Sequence, residues 1–324
     1  MGCMPTPSTA AERRIRPLIR LTPLSQSLLL AGNSGGQVLL KREDLQETGA
    51  FKLRGAANKM LSLPKEQAAR GIIAASTGNH AIAVSTIGRK LGIPVEIFVS
   101  EKLHELKRAK IESLGARLRT VAGDALLAER TARQEAGRTG RPYVSPYNDA
   151  EVVAGQGTVA VEVLDQLREQ GVDRLDAIFV AVGGGGLIGG IGAHLKKESP
   201  HTQVVACWPE NSRALYECIR AGAIIDVPEE PTLSTSTAGG VEEGSITLEL
   251  CRRVIDRSVL VSEAEILAAA RLLWRSEKML IEGAAAVAVA GFLKTAADNA
   301  GKTVAIVMCG GNVDPAVEAL IKES

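Results

Sequence analysis

From Gly71 onward, short β-rich runs alternate with stretches of helical periodicity: GIIAAST then HAIAVSTIGRKLG, PVEIFVS then LHELKRAKIESLG, and RLRTV then ALLAERTARQEAG. That alternation leaves few architectures open, because strand, helix and strand in succession build βαβ units on a parallel sheet. A second series starts with LDAIFVAV, passes a glycine-rich turn and a helix through Leu195, continues with TQVVACW and finishes late with TVAIVMC. Its strands are continuous apolar runs, as expected when helices cover both faces of the sheet. The fold class expected is α/β, with doubly wound parallel sheets.

With 324 residues, 45% of them hydrophobic and 23% charged, the chain buries a full core and has room for two lobes. Lysine plus arginine (38) nearly cancels aspartate plus glutamate (37), and neither sign gathers into a block. Nucleic acid and anionic membrane are therefore excluded as partners, which leaves a small molecule. The five cysteines (Cys3, Cys207, Cys218, Cys251 and Cys309) are scattered and never spaced C-x-x-C. No disulfide framework or structural zinc site is expected, and the setting inferred is a reducing cytoplasm. The run LIEGAAAVAVAGFL from Leu280 is too short to span a bilayer and carries Glu282, so it reads as a buried helix. The start MGCMPT fits a loose N-myristoylation pattern but is read as an unmodified tail. PEEPTLSTSTAGGVEEGS, residues 228–245, has no periodicity and reads as a long functional loop. About one helix of chain remains after CGGNVD, too little for a regulatory domain.

Four short stretches carry chemistry. VAVGGGGLIGG, residues 180–190, places Gly183, Gly184, Gly185 and Gly186 between a strand and a helix, where bare backbone N–H groups surround a phosphate. Gly184, Gly186 and Gly189 also spell G-x-G-x-x-G, with Glu210 one βαβ step later, so a dinucleotide-binding oxidoreductase using NAD is a second reading. In STGNHA, Ser76, Thr77, Gly78, Asn79 and His80 form an anion nest suited to a carboxylate, or an ordinary helix start capped by Thr77 or Asn79. CGGNVD presents Cys309 at the carboxyl end of the last strand, as a ligand-facing or a core thiol. In TGAFKLRGA, Lys52 sits between apolar Phe51 and Leu53 at the head of a helix, so it reads as partly buried. A helix N-terminus and desolvation both lower an amine's pKa. The histidines (His80, His104, His194 and His201) show no ligand spacing, and neither a Ser-His-Asp triad nor a metal site is expected.

A phosphate cradle, a carboxylate nest and one semi-buried lysine together fit pyridoxal 5'-phosphate acting on an amino acid. At this point the chain resembles the fold-type II pyridoxal-phosphate enzymes with the tryptophan synthase β-like fold, in the threonine/serine dehydratase and serine racemase branch. The likeness runs from about Arg16 to Asp314 through KREDLQETGAFKLRGA, STGNHA, VVAGQGT, VGGGGLIGG, IEGAA and CGGNVD in order.

The resemblance implies that Lys52 joins the cofactor aldehyde and takes the substrate's α-proton. It places Phe51 against the cofactor ring, Asn79 on the ring's 3'-oxygen, Gly183 to Leu187 around the phosphate and Cys309 opposite the pyridine nitrogen. It puts the substrate carboxylate on Ser76 to His80. Glu282 either faces the cofactor or caps the helix that follows it. The product implied is a 2-oxo acid and ammonia, formed by β-elimination of water.

The same likeness implies a large lobe of residues 1–64 and 149–324, a mobile small lobe of 65–148, and a homodimer or homotetramer. In serine racemase a serine returns the proton from the far face of the cofactor; Thr77 stands there as the second catalytic candidate, with a hydroxyl able to do the same and a methyl that crowds the position, so dehydration is favoured and an amino acid (serine) racemase is the alternative. That enzyme's divalent-cation positions carry Trp208 and Ala214 here, and no such site is expected. Its anion-binding arginine is Leu127, and Glu242 lies near where a serine would meet ligand. The EEPTL…AGG segment also resembles dehydratases of ectoine utilisation, which opens larger 3-hydroxy amino acids as substrates. A cysteine-synthase-type enzyme is disfavoured, since LRGA and TGNHA stand where that type has a DR pair and TSGNTG.

Overall fold

The computed structural model describes residues 7–101, 103, 105–123 and 125–323; the MGCMPT start with Cys3, and His104, lie outside them. The strands are β1 (Leu24–Gln26), β2 (Gln37–Lys41), β3 (Ile72–Ala75), β4 (Val95–Ser100), β5 (Arg117–Val121), β6 (Ala177–Ala181), β7 (Gln203–Pro209), β8 (Arg257–Val261) and β9 (Thr303–Val307). They form two sheets. The larger has the order β1-β2-β9-β6-β7-β8 and the smaller β3-β4-β5. Every pairing is parallel except β1 with β2, an antiparallel edge that the sequence pattern does not reveal.

The apolar runs become central strands: β6, β7 and β9 are buried nearly end to end. The run beginning at Leu280 turns helical at Gly283, and the helix Gly283–Lys294 is buried from Gly283 to Phe292. Its Phe292 meets Phe179 of β6 edge-on, with ring centroids 5.6 Å apart. Residues 228–245 contain no helix or strand.

The VVAGQGT motif has a packing reason. It lies in the helix Ala150–Glu169, and a Cβ on Gly155 would stand 2.7 Å from the Arg54 carbonyl oxygen, while one on Gly157 would stand 2.6 Å from that of Gly190. Bare Cα atoms let the helices Lys52–Ser62 and Gly186–Glu198 press against this central helix. The same helix supplies Glu162 to a buried ionic cluster. Arg54 donates to Glu43 Oε2 and Glu162 Oε2 at 2.7 Å each, and Lys41 Nζ donates to Glu162 Oε2 at 2.6 Å. All four side chains are almost wholly removed from solvent, so each charge depends on its partners. The cluster ties β2 to the helix that begins at Lys52.

Among the described residues no helix is long and apolar enough to cross a membrane. Also among them, no group of three or more His, Cys, Asp or Glu side chains is placed to hold a metal ion.

Candidate active site

The chemistry-bearing stretches leave the carboxyl ends of strands. REDLQETGAFK follows β2, STGNHA follows β3, the glycine run follows β6 and CGGNVD follows β9. Carboxyl ends are where open α/β sheets bind ligands. Here they meet around one cleft of about 590 Å³. Phe51, Lys52, Ser76 to His80, Gly183 to Leu187, Glu282 and Cys309 all line it.

Lys52 opens the helix Lys52–Ser62, and the Phe51 N–H donates to the Cys309 carbonyl at 3.1 Å, so the end of β9 fixes the residue before the lysine. The Lys52 amine lies 5.1 Å from the Phe51 ring centroid and donates to the Pro146 carbonyl at 2.8 Å. Desolvation lowers its pKa to about 8, against the opposing pull of the Glu129 and Glu282 carboxylates. About a tenth of the amine is thus neutral at pH 7, against well under a thousandth for an ordinary lysine. Burial pushes the Cys309 thiol well above its usual range, so this group faces the cleft uncharged.

The glycine run closes tightly. Gly185 has φ +84°, and a Cβ on it would stand 2.7 Å from Leu215 Cδ2; one on Gly183 would stand 2.7 Å from the Thr237 carbonyl, and one on Gly184 2.5 Å from the Tyr147 ring. The helix Gly186–Glu198 starts directly behind, so its first N–H groups, which have no intrahelical acceptor, point toward the cleft.

At STGNHA the helix Asn79–Leu91 begins with Gly78 at its N-cap and no side-chain cap, so the reading of Thr77 or Asn79 as a cap is not what the structure shows. Ser76 Oγ accepts from the Gly78 N–H at 3.1 Å, which folds the turn back on itself. His80 is buried, its Nε2 donates to the Val144 carbonyl at 2.8 Å, and burial together with the Lys52 charge lowers its pKa to about 3. It stays neutral and acts as a fixed support.

Glu282 occupies the N-cap position of Gly283–Lys294 without making a capping bond. Its carboxylate instead accepts from Asn79 Nδ2 at 2.8 and 3.1 Å, from Ser236 Oγ at 2.5 Å and from the Asn312 N–H at 2.9 Å. Asn312 Nδ2 in turn donates to Asn79 Oδ1 at 2.9 Å. Asn79, Glu282 and Asn312 are thereby one unit, and burial raises the Glu282 pKa. Sequence reasoning passed over Asn312 although it lies in CGGNVD. It also missed Tyr147, Ser236 and Thr237, which carry no local signal and reach the cleft only through the fold. Glu242 does not line the cleft: it pairs with Arg133 and accepts from Asn148 Nδ2 at 2.8 Å. Leu126, next to Leu127, lines the cleft.

Residues 15–310 match the family model described as pyridoxal-phosphate dependent enzyme. The chain belongs to that family. Among its relatives, an L-threonine ammonia-lyase of Thermotoga maritima is 37% identical over 94% of this chain and 74% of the relative. A beta-hydroxyaspartate dehydratase of Paracoccus denitrificans is 35% identical over 94% of this chain and 95% of its own. The solved structure of a serine racemase from Dictyostelium discoideum superposes with a TM-score of 0.86 at 31% identity, covering 95% of this chain and 97% of that one. The fold is the type II fold of pyridoxal-phosphate enzymes, and the dinucleotide reading of Gly184, Gly186 and Gly189 gives way to it.

The residues present fit pyridoxal phosphate. A neutralisable lysine amine, a glycine turn too tight for side chains at a helix N-terminus, and an uncharged thiol border a single cleft. An aldehyde, a phosphate and a ring nitrogen call for groups of these three kinds.

Proposed function

We propose that this chain is an ammonia-lyase that dehydrates an L-threonine- or L-serine-like 3-hydroxy amino acid to a 2-oxo acid and ammonia. The observation that carries it is the Lys52 amine, held near pKa 8 on the wall of a cleft shared by the glycine turn and the STGNHA nest. The names of the relatives point the same way. Bound pyridoxal phosphate supplies an aldehyde that takes up the substrate amine and draws electrons from its α-carbon.

The remaining work belongs to the protein. Backbone N–H groups of Ser76 to His80 receive the substrate carboxylate, and those of Gly183 to Leu187 receive the phosphate. Lys52 Nζ, as a free amine on the cleft wall, would take the α-proton. The C–O bond at the β-carbon would then break, its electron pair leaving with the hydroxyl, which takes the proton held on Lys52 Nζ and departs as water; hydrolysis of the released enamine, through its imine form, gives the 2-oxo acid and ammonia. Phe51 would support the ring, and Asn79, held by Glu282 and Asn312, would donate to its 3'-oxygen. Cys309, a neutral thiol on the cleft wall, would be the residue set against the pyridine nitrogen; a thiol does not hold that nitrogen protonated as a carboxylate would, which would favour β-elimination over transamination. Thr77 crowds the far face, which favours dehydration over racemisation.

Residues 65–148, which carry the smaller sheet, act in this reading as the part that closes over substrate. The working form is read as a cytoplasmic homodimer or homotetramer. Lys52→Ala tests the assignment: turnover and the absorbance of bound cofactor are expected to vanish together. A variant that still dehydrates substrate would refute it.

A further inference from the structure

One wall of the cleft is acidic without a local reason. Glu129, in the helix Ala125–Thr139, lines the same cleft as Lys52, with 17% of its side chain exposed. Its described partners are long: Tyr143 Oη donates to Oε1 at 3.3 Å, and Arg133 Nη2 stands 3.9 Å away. Arg133 is engaged elsewhere. It pairs with Glu242 through both Nε and Nη2 and stacks over the Tyr143 ring at 4.4 Å. Glu242 is further held by Asn148 Nδ2 and, through its own N–H, by Tyr147 Oη. Two carboxylates therefore share one guanidinium, and Glu129 has the weaker share.

The other cations of the cleft wall do not correct this balance. Lys107 Nζ faces Asp314 at 3.4 Å and Lys110 Nζ faces Asn312 at 3.2 Å. His80 is neutral, and Lys52 is the group that joins the cofactor aldehyde. Burial and the adjacent Glu242 both raise the Glu129 pKa, as expected of a carboxylate short of positive charge.

We infer that Glu129 sets substrate choice, and that the preferred substrate is a 3-hydroxy amino acid whose side chain carries an N–H donor, foremost an ammonium group, beyond the β-carbon. This rests on the dehydratase reading above and narrows it. A cleft that meets substrate with a buried carboxylate is satisfied by a cationic donor, leaves that carboxylate with only its long Tyr143 and Arg133 contacts against threonine's methyl, and repels a second carboxylate. The preference is thus opposite to that named for the beta-hydroxyaspartate dehydratase, despite its 35% identity.

The test measures kcat/KM for 2-oxo acid release by the holoenzyme from 2,4-diamino-3-hydroxybutanoate, L-threonine and 3-hydroxyaspartate, in the wild type and in Glu129→Gln. The first of these is the smallest 3-hydroxy amino acid bearing an extra amine. The wild type is expected to favour it over threonine by about tenfold or more and to use 3-hydroxyaspartate least. Glu129→Gln, with bound-cofactor absorbance matched to the wild type, is expected to shrink the amine-to-threonine ratio by about tenfold and to improve the rank of 3-hydroxyaspartate. A wild type that prefers threonine or 3-hydroxyaspartate overturns the inference while leaving the dehydratase reading intact. So does a Glu129→Gln variant in which all three substrates change in parallel. Release of 2-oxo acid from none of the three overturns the dehydratase reading, and this inference with it.

Discussion

Gly185→Ala is the sharpest probe of the phosphate turn. At φ +84° the new residue enters the left-handed region, at about 1–2 kcal/mol for a non-glycine. Its Cβ would stand 2.7 Å from Leu215 Cδ2, 2.8 Å from Cys251 Sγ and 3.1 Å from Thr247 Cβ. Leu215 and Cys251 are buried at 1% and 0% exposure, so neither has solvent to retreat into. Overpacking of this kind costs about 1–3 kcal/mol. The sum is about 2–5 kcal/mol, and it emerges in one of two places. If the turn holds, the apoprotein loses that much stability; if the turn springs outward, the N–H groups leave the phosphate and affinity for pyridoxal phosphate falls by about 30-fold to a few thousand-fold. Equilibrium urea unfolding of the apoprotein and absorbance titration with pyridoxal phosphate read the two shares. Gly32→Ala is the control, since nothing lies within 4 Å of its Cβ position and its helix gains from alanine. A Gly185→Ala protein within 0.5 kcal/mol of wild type, with cofactor affinity within about threefold, would refute the reasoning.

Arg54→Met is expected to cost about 3–5 kcal/mol in urea unfolding, because it leaves Glu43 and Glu162 buried beside a missing partner; a loss below about 1 kcal/mol would contradict the buried-cluster account. The Lys52 amine must be neutral to attack an aldehyde, and with its pKa lowered to about 8 it is mostly protonated below that pH and mostly free above it. The rate at which the apoprotein takes up pyridoxal phosphate is therefore expected to climb up to about pH 8 and then level off, whereas a climb continuing to the ordinary lysine value near 10.5 would count against the desolvated amine. His80, lowered to about 3, is expected to contribute no step to the kcat/KM profile between pH 5 and 9, and a step removed by His80→Gln would show otherwise.

What the sequence revealed follows its strongest physical signals. The apolar runs of β4, β6, β7 and β9 and the turns after β3 and β6 were legible because burial on both faces and glycine-bound backbone leave local marks. β2 was hidden because its last residue is Lys41, whose charge is answered by Glu162 far along the chain. β8, RSVLV, is a short edge strand with alternating exposure and carries too few apolar residues to stand out. The same distinction runs through the site. Lys52 and the glycines announce themselves in sequence, whereas Glu129, Tyr147 and Ser236 acquire meaning only when the smaller sheet and the long loop meet the carboxyl ends of β6 and β9. Glu282 shows how three-dimensional partners decide between two local readings: its position is that of a helix cap, and its hydrogen bonds are those of a cleft residue.

The central claim is a lysine-borne pyridoxal phosphate that dehydrates 3-hydroxy amino acids, and the most direct measurement is the absorbance spectrum of the purified protein followed during addition of L-threonine, L-serine and D-serine, with 2-oxo acid monitored. The account predicts a bound-cofactor band that changes on addition of an L-hydroxy amino acid, accompanied by 2-oxo acid. A protein that stays colourless after incubation with pyridoxal phosphate, or one whose band shifts while no 2-oxo acid forms, would contradict it.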